Sequence, residues 1–490
     1  MQTGELMASR TTLNARNLEA LGAEHLAEVL IDISTGNAAI KRKLRLILAG
    51  AQSPKEAARE INKRLTSIAR AKSYIDWQKQ KALVDDLETQ RRAIMEQVAL
   101  RDPTEALSLL WRFMGLATPV LNRCDDSSGE VSNLFYDASE YLGQVAEQAQ
   151  TDPRALAEST FNALHDNDYC QYDGLIARMS PALGEDGLAH LKARVEEFGK
   201  TPVSALTGEN RRAGGRVVTG ITHAQERLER KRQSIVTTAL KDIADAQGDV
   251  DSFIAQYEPE THKRPETAAA IARRLLAKGR APEALEFIEG ADLSRDRGRY
   301  HAWEHVRVEA LEAIGRSEEA QAFRYECFER HLSIGHLREY LKRLPDFDDM
   351  EAEEQAMDHA MAYRGLLTAL NFFLKWPALD RASELLITRH GEINGDHFSY
   401  LTPAAEALAE RHPLAATLAL RAMIDFTLTT GRSRRYRHAA RHLGNCARLA
   451  PEIEDFGDFE THDAYFAGIK TRHGRKHSFW LYMKDEDGAA

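Results

Sequence analysis

Two pairs of histidines raise the first chemical question. His301 and His305, and separately His438 and His442, stand at i and i+4, so each pair shares one face of a helix. A helical zinc hydrolase needs H-E-x-x-H, with the glutamate beside the metal as general base. The intervening residues here are Ala-Trp-Glu and Ala-Ala-Arg, so the order fails in both pairs and surface or packing histidines are expected. Gly199-Lys200-Thr201 resembles the end of a phosphate-binding loop, but Arg194 stands where the first glycine is required. Gly215 and Gly220 have the right spacing, yet Ile221 follows where the phosphate-binding lysine belongs. Asp125-Asp126-Ser127-Ser128-Gly129-Glu130 looks like a calcium loop until the glycine falls at position 5 and Tyr136 at position 12. A turn leading into a helix N-terminus explains that run better, with serine caps and Glu130 at the positive helix end. No nucleophile–base signature such as G-x-S-x-G is present. The expectation is a protein without an active site, a cofactor or a bound metal.

The elements that position these residues read as helices. Leu18, Leu21, Leu26 and Val29 mark one helical face, and Leu83, Leu87, Ile94 and Val98 another. The one strand-like segment is Arg216-Val217-Val218-Thr219. Gly and Pro together make 44 of 490 residues, below the roughly 12% of average usage. Ser53-Pro54, Asp102-Pro103, Asp152-Pro153, Ser180-Pro181 and Thr402-Pro403 each join a capping residue to a proline. Such a pair suits the cap and first position of a helix, because proline has no N–H to leave unpaired there.

A repeat follows in the C-terminal half. Gly279-Arg280-Ala281-Pro282-Glu283-Ala284 with Phe287 matches Gly315-Arg316-Ser317-Glu318-Glu319-Ala320 with Phe323. The pattern puts a turn glycine between two helices and a small alanine where they cross, as in tetratricopeptide hairpins. Ala382 and Ala416 extend the series weakly. The fold expected is therefore all-α, an α-solenoid of antiparallel helix pairs, tetratricopeptide-like in its C-terminal half. The expected parts are a basic helical region over 8–101, a central helical region over 102–258 with a glycine-rich loop near 199–222, and repeats with a tail over 259–490.

Charge is unevenly placed. The chain carries a net charge of -10, which argues against a wholly polyanion-binding surface. Residues 41–101 hold fifteen Lys/Arg against seven Asp/Glu, a local net of +8, leaving -18 elsewhere. Lys41, Arg42, Lys43 and Arg45 are the candidate polyanion contacts. A second basic cluster runs from Arg432 to Arg441, and the tail adds Lys470, Arg472, Arg475 and Lys476 ahead of Phe479-Trp480. Cys124, Cys170, Cys327 and Cys446 form no CxxC or CxC pair, which fits a reducing cytoplasm. The start lacks the apolar core of a signal peptide, and the longest apolar stretch, Ala106 to Leu121, is interrupted by Arg112, so no membrane segment is expected.

Ser9-Arg10-Thr11-Thr12-Leu13-Asn14 and Asn17-Leu18-Glu19-Ala20-Leu21-Gly22 resemble the opening of an uncharacterised bacterial domain-of-unknown-function family. Asp102-Pro103, Leu110-Trp111-Arg112-Phe113 and the run Asp125 to Val131 are similar to its central signature, and Arg435 to Leu443 with His473 to Trp480 to its tail. The likeness begins near Ala8, which makes Met7 a candidate start. It implies a helical-repeat fold and no chemistry. The tail is also similar to the helical portion of bacterial proteins carrying a SWIM-type zinc finger. Those ligands follow CxC…CxH, and no CxC exists here.

These features point to a non-enzymatic scaffold or adaptor that binds a protein or peptide on the concave face of a helical array. Arg434, Arg435, Tyr436 and Lys476, with Asp125 and Asp126, are the residues expected to contact that partner. Two alternatives stand beside it: a nucleic-acid-associated adaptor using the basic patches, and a metal-dependent enzyme using the paired histidines.

Overall fold

The computed structural model describes residues 12–201, 219–294 and 300–487, and the side chains among these except 219–224 and 484–487. Among the described residues the regular elements are all helical, and extended backbone pairs once, in an isolated parallel bridge between Ile75 and Cys124. Residues 216–218 of the expected strand, most of the loop near 199–222, and Met1 and Met7 lie outside the described residues. The chain divides into two compact units, Met1–Pro259 and Glu260–Ala490.

Local rules account for many of the helix starts. Ser53, Asp102 and Asp152 cap helices Pro54–Arg70, Pro103–Met114 and Pro153–His165, each side chain accepting from the N–H three residues on. The other two capping pairs are corrected by the structure. Pro181 lies inside helix Leu175–Lys200 and Pro403 inside Phe398–Leu408. At Pro181 the missing N–H would have met the carbonyl of Ala177, and the hydroxyl of Ser180 donates to that carbonyl instead at 2.9 Å. The same helix turns out of helical geometry at Gly184, where φ is +57°.

In the first unit, helix Pro103–Met114 buries Ala106, Leu107, Leu109, Leu110, Phe113 and Met114, more than one stripe, so it is enclosed rather than peripheral. It packs on helix Glu130–Gln148, where the rings of Phe113 and Phe135 sit 5.3 Å apart. Each such wholly buried side chain contributes about 2 kcal/mol from apolar burial. Helix Leu175–Lys200 then crosses Glu130–Gln148 so closely that a Cβ on Gly143 would lie 2.3 Å from the carbonyl oxygen of Arg178. Only glycine allows that approach.

In the second unit, successive helices pack against the next and largely against the next but one, from Pro265–Ala277 to Tyr436–Leu449. The two sequence repeats adopt the same local structure. Gly279 and Gly315 take φ of +72° and +80°, and the N–H of the following arginine bonds back to Leu275 or Leu311 at 2.9 Å. Arg280 pairs with Glu283 and Arg316 with Glu319, while Ala284 and Ala320 are wholly buried at the crossings. A bond of the same span recurs at Ala378 and Arg432, where the sequence pattern itself has faded. No described helix is long and apolar enough to cross a membrane.

Candidate functional site

The N-terminal helices leave an unusual surface. Helix Ala23–Ser34 is amphipathic, yet none of its residues is buried; Val29, Leu30, Ile31 and Ile33 are all exposed, Ile31 at 68%. Asn37 caps the next helix, Ala38–Gln52, by accepting from the N–H groups of Ala39 and Ile40. Periodicity there buries Leu46 and Ala49 against the core and leaves Ile47 and Leu48 outside, Leu48 at 64%. Lys41, Arg42, Lys43 and Arg45 stand exposed on the same helix, and none makes an ion pair among the described residues.

Beside this helix lies a groove of about 870 Å³, walled by helices Ala38–Gln52, Pro54–Arg70 and Trp77–Ala93. The last wall continues as a π-helical turn, Ile94–Ala99, which buries Ile94, Val98 and Ala99. Arg42, Lys43 and Ile47 line one side; Gln90 and Gln97 face them. The side-chain oxygens of both glutamines are buried and without a hydrogen-bond partner. Gln90 is only 4% exposed, so its oxygen is a costly acceptor to leave empty. Neighbouring charges are already matched: Arg64 holds Asp86, and Glu88 bonds Arg91 and Arg92. The Arg91 guanidinium, against the cost of burial, holds the Glu88 carboxyl below its ordinary range. The unmatched cations are therefore at the rim, next to exposed aliphatic side chains.

Elsewhere the expected contact residues are occupied. Asp126 accepts from the N–H groups of Val131 and Ser132 at 3.0 and 2.9 Å, from the Ser132 hydroxyl at 2.6 Å and from Gln80 Nε2 at 2.9 Å. It thus takes up N–H groups of the first turn of helix Glu130–Gln148, where a serine cap was expected and where the Ser128 hydroxyl accepts from the Glu130 N–H at 3.4 Å. Asp125 binds Ser127 and, through its N–H, the carbonyl of Ile75. Arg435 pairs with Asp396 at 2.9 Å and covers the ring of Phe398. Tyr436 is buried, and Lys476 donates to its hydroxyl at 3.2 Å. Arg434 alone of the four is exposed without an ion pair among the described residues.

The paired histidines also part company. His442 is buried, its pKa pushed down to about 4 by burial and by Arg441 and His438, while His438 is exposed beside Arg441. His305 stacks on His336, and the residue between the first pair, Glu304, is the buried one. Sequence reasoning fixed on the failed motif order and passed over that glutamate, although it stands three residues after His301 on the same helical face. A cavity of about 780 Å³ in the second unit was not expected at all. Buried Arg421 faces it, donating from Nη1 to the Glu460 carbonyl at 2.7 Å and stacking on Tyr465, while Nε and Nη2 have no partner. Beside it burial raises the pKa of Asp425. Gly395 closes one wall, where a Cβ would lie 2.0 Å from the Ala422 carbonyl oxygen. Such a pocket has the donors for a carboxylate or phosphate.

A model described as a family of unknown function, DUF6880, covers residues 8–482, and the chain belongs to that family. No curated protein matches the chain.

Proposed function

We propose that this member of a family without an assigned activity is a non-enzymatic adaptor that captures a protein segment on its N-terminal groove. The observation that carries the reading is the exposed aliphatic row of helices Ala23–Ser34 and Ala38–Gln52 beside four unmatched cations. A contiguous apolar patch on a folded unit marks a contact surface. The chemistry it fits is an amphipathic helix with aliphatic anchors and acidic flanks, laid into a groove. Apolar anchors supply affinity and the cations Lys41, Arg42, Lys43 and Arg45 set orientation and association rate.

Nucleic acid fits this surface less well, because phosphate contacts would satisfy the cations and leave the aliphatic row in water. The regular next-neighbour packing of the second unit supports a tetratricopeptide-like α-solenoid, whose concave face offers a further binding surface. The likeness of the tail to SWIM-containing proteins adds nothing here, since the zinc ligands of that finger are absent. All four cysteines are free, in keeping with a reducing cytoplasm.

The test is affinity capture from the native host, with nuclease-treated controls, using the wild type and the double variant Leu30→Asp, Ile31→Asp. A protein retained by the wild type and lost from the variant, with the melting temperature unchanged, is the expected outcome. Retention that the variant leaves intact, or that nuclease abolishes, overturns the proposal.

A further inference from the structure

Three helices of the second unit bring one carboxylate, one thiol and one imidazole to a single buried point, with a second imidazole at its edge. Glu304 projects from helix His301–Ala313, Cys327 and His331 from Ser317–His331, and His336 from Ile334–Leu341. Glu304 and His336 are each 3% exposed and Cys327 is wholly buried. A donor atom of each of these three lies within 4.8 Å of the other two. His331 Nε2 stands 3.7 Å from one oxygen of Glu304, and His336 Nε2 stands 3.8 Å from the other.

Those separations are too long for hydrogen bonds. Glu304 Oε2 and His336 Nε2 are both buried and neither has a hydrogen-bond partner. Two orphaned polar atoms facing each other are costly, and a native fold rarely keeps them without something between. Zinc bonds of about 2.0 Å to nitrogen, 2.1 Å to oxygen and 2.3 Å to sulfur place tetrahedral ligands about 3.3–3.7 Å apart. The Glu304–His336 separation is already close to that, the thiol needs to move inward by about 1 Å at most, and His331, nearest the other carboxylate oxygen, must turn inward.

The backbone is bent to make the site. Helix Ser317–His331 ends at Leu332, a non-glycine residue with φ of +49°, and Leu332 is itself 5% exposed. That left-handed residue separates helix Ser317–His331, which carries Cys327, from helix Ile334–Leu341, which carries His336. Such a conformation costs about 1–3 kcal/mol and persists where the surroundings hold it. His305 stacks on the His336 ring at 4.7 Å, fixing its plane.

We infer that Glu304, Cys327 and His336 form the core of a structural site for one zinc-class divalent cation that ties three helices of the second unit together, with His331, 3.7 Å from Glu304 Oε1, turning in as the fourth ligand. A thiolate, two imidazoles and a carboxylate make a closed tetrahedral set, so the metal braces the fold rather than offering an open position for substrate. In the metal-free chain burial pushes the Cys327 thiol up to about 12, and binding must displace that proton. The Glu304 carboxyl, raised by burial, is held net below its ordinary range by His336, His331 and His301, so it is already ionised.

The experiment titrates cobalt(II) into full-length, tag-free protein stripped with a chelator, and follows the thiolate-to-cobalt charge-transfer absorption. Saturation at one cobalt per chain, with displacement by zinc, is expected. Cys327→Ser should abolish the charge-transfer band while leaving a weakened visible absorption. Glu304→Gln and His336→Ala should lower zinc content, measured by elemental mass spectrometry, from about one per chain to background. Since the wild-type titration stands by itself, misfolding of a variant does not blunt it. No charge-transfer band in folded wild type, or a band that survives Cys327→Ser, overturns the assignment.

Discussion

Replacing Asp126 by alanine should cost the first unit about 3 kcal/mol of stability. Its carboxylate accepts two backbone N–H groups at the start of helix Glu130–Gln148, which by itself is a charged helix cap. Loss of such a cap costs about 1–2 kcal/mol. The Ser132 hydroxyl loses its acceptor, and Gln80, 7% exposed, keeps only the Ser128 hydroxyl, together about another 1 kcal/mol. The helix affected carries Val131, Phe135 and Leu142 into the centre of the core, so the loss is felt globally in that unit. For a unit of this size, 3 kcal/mol lowers the melting temperature by roughly 6–10 °C. Calorimetry of the full chain reads it, and the transition of the second unit should not move. Asp125→Ala is the control: its carboxylate serves only Ser127 on the surface, and a change within about 0.5 kcal/mol is expected. A stability loss below about 0.5 kcal/mol for Asp126→Ala, with partner capture abolished, would refute the capping role and restore Asp126 as a contact residue.

Stability should fall as pH drops from about 6.5 to 4, in part through His442. Its folded pKa of about 4 lies below the ordinary 6.5, so the unfolded chain binds the proton first, and up to about 3 kcal/mol present above pH 6.5 is lost by pH 4. Denaturant titrations at several pH values should show a shallower slope in His442→Gln. Gly143→Ala should destabilise the first unit by about 1–3 kcal/mol, since its Cβ would press on the Arg178 carbonyl; an unchanged urea midpoint would contradict the close crossing. Arg421→Met should leave stability unchanged or raise it by about 1 kcal/mol, because the buried guanidinium keeps two unpartnered nitrogens. A loss above about 3 kcal/mol on thermal melting would show instead that Arg421 is a fold-holding residue.

The helical class was legible because its signals are local. Three of the five capping prolines start helices, and the two glycine–arginine turns share one hydrogen-bond pattern. Pro181 and Pro403 lie inside helices instead; at Pro181 a hydroxyl replaces the missing N–H, which spacing alone does not show. The site was less legible. The basic stretch at Lys41 to Arg45 was visible, but that Leu30 and Ile31 stay uncovered depends on what packs against their helix, not on its periodicity. Likewise Glu304, Cys327 and His336 are plain in the sequence, while their meeting depends on how three helices pack, with a left-handed Leu332 between two of them that its residue type does not announce. Arg435 and Tyr436 stand out by type in the sequence, while their contacts with Asp396, Phe398 and Phe479 come from residues distant in the chain.

Hydrogen–deuterium exchange on the captured complex, compared with the free chain, tests the adaptor reading most directly. Protection should concentrate in residues 23–52, where Leu30, Ile31, Ile47 and Leu48 are exposed, and in the groove wall at 90–97. Protection confined to the second unit, with residues 23–52 exchanging as in the free protein, would contradict it.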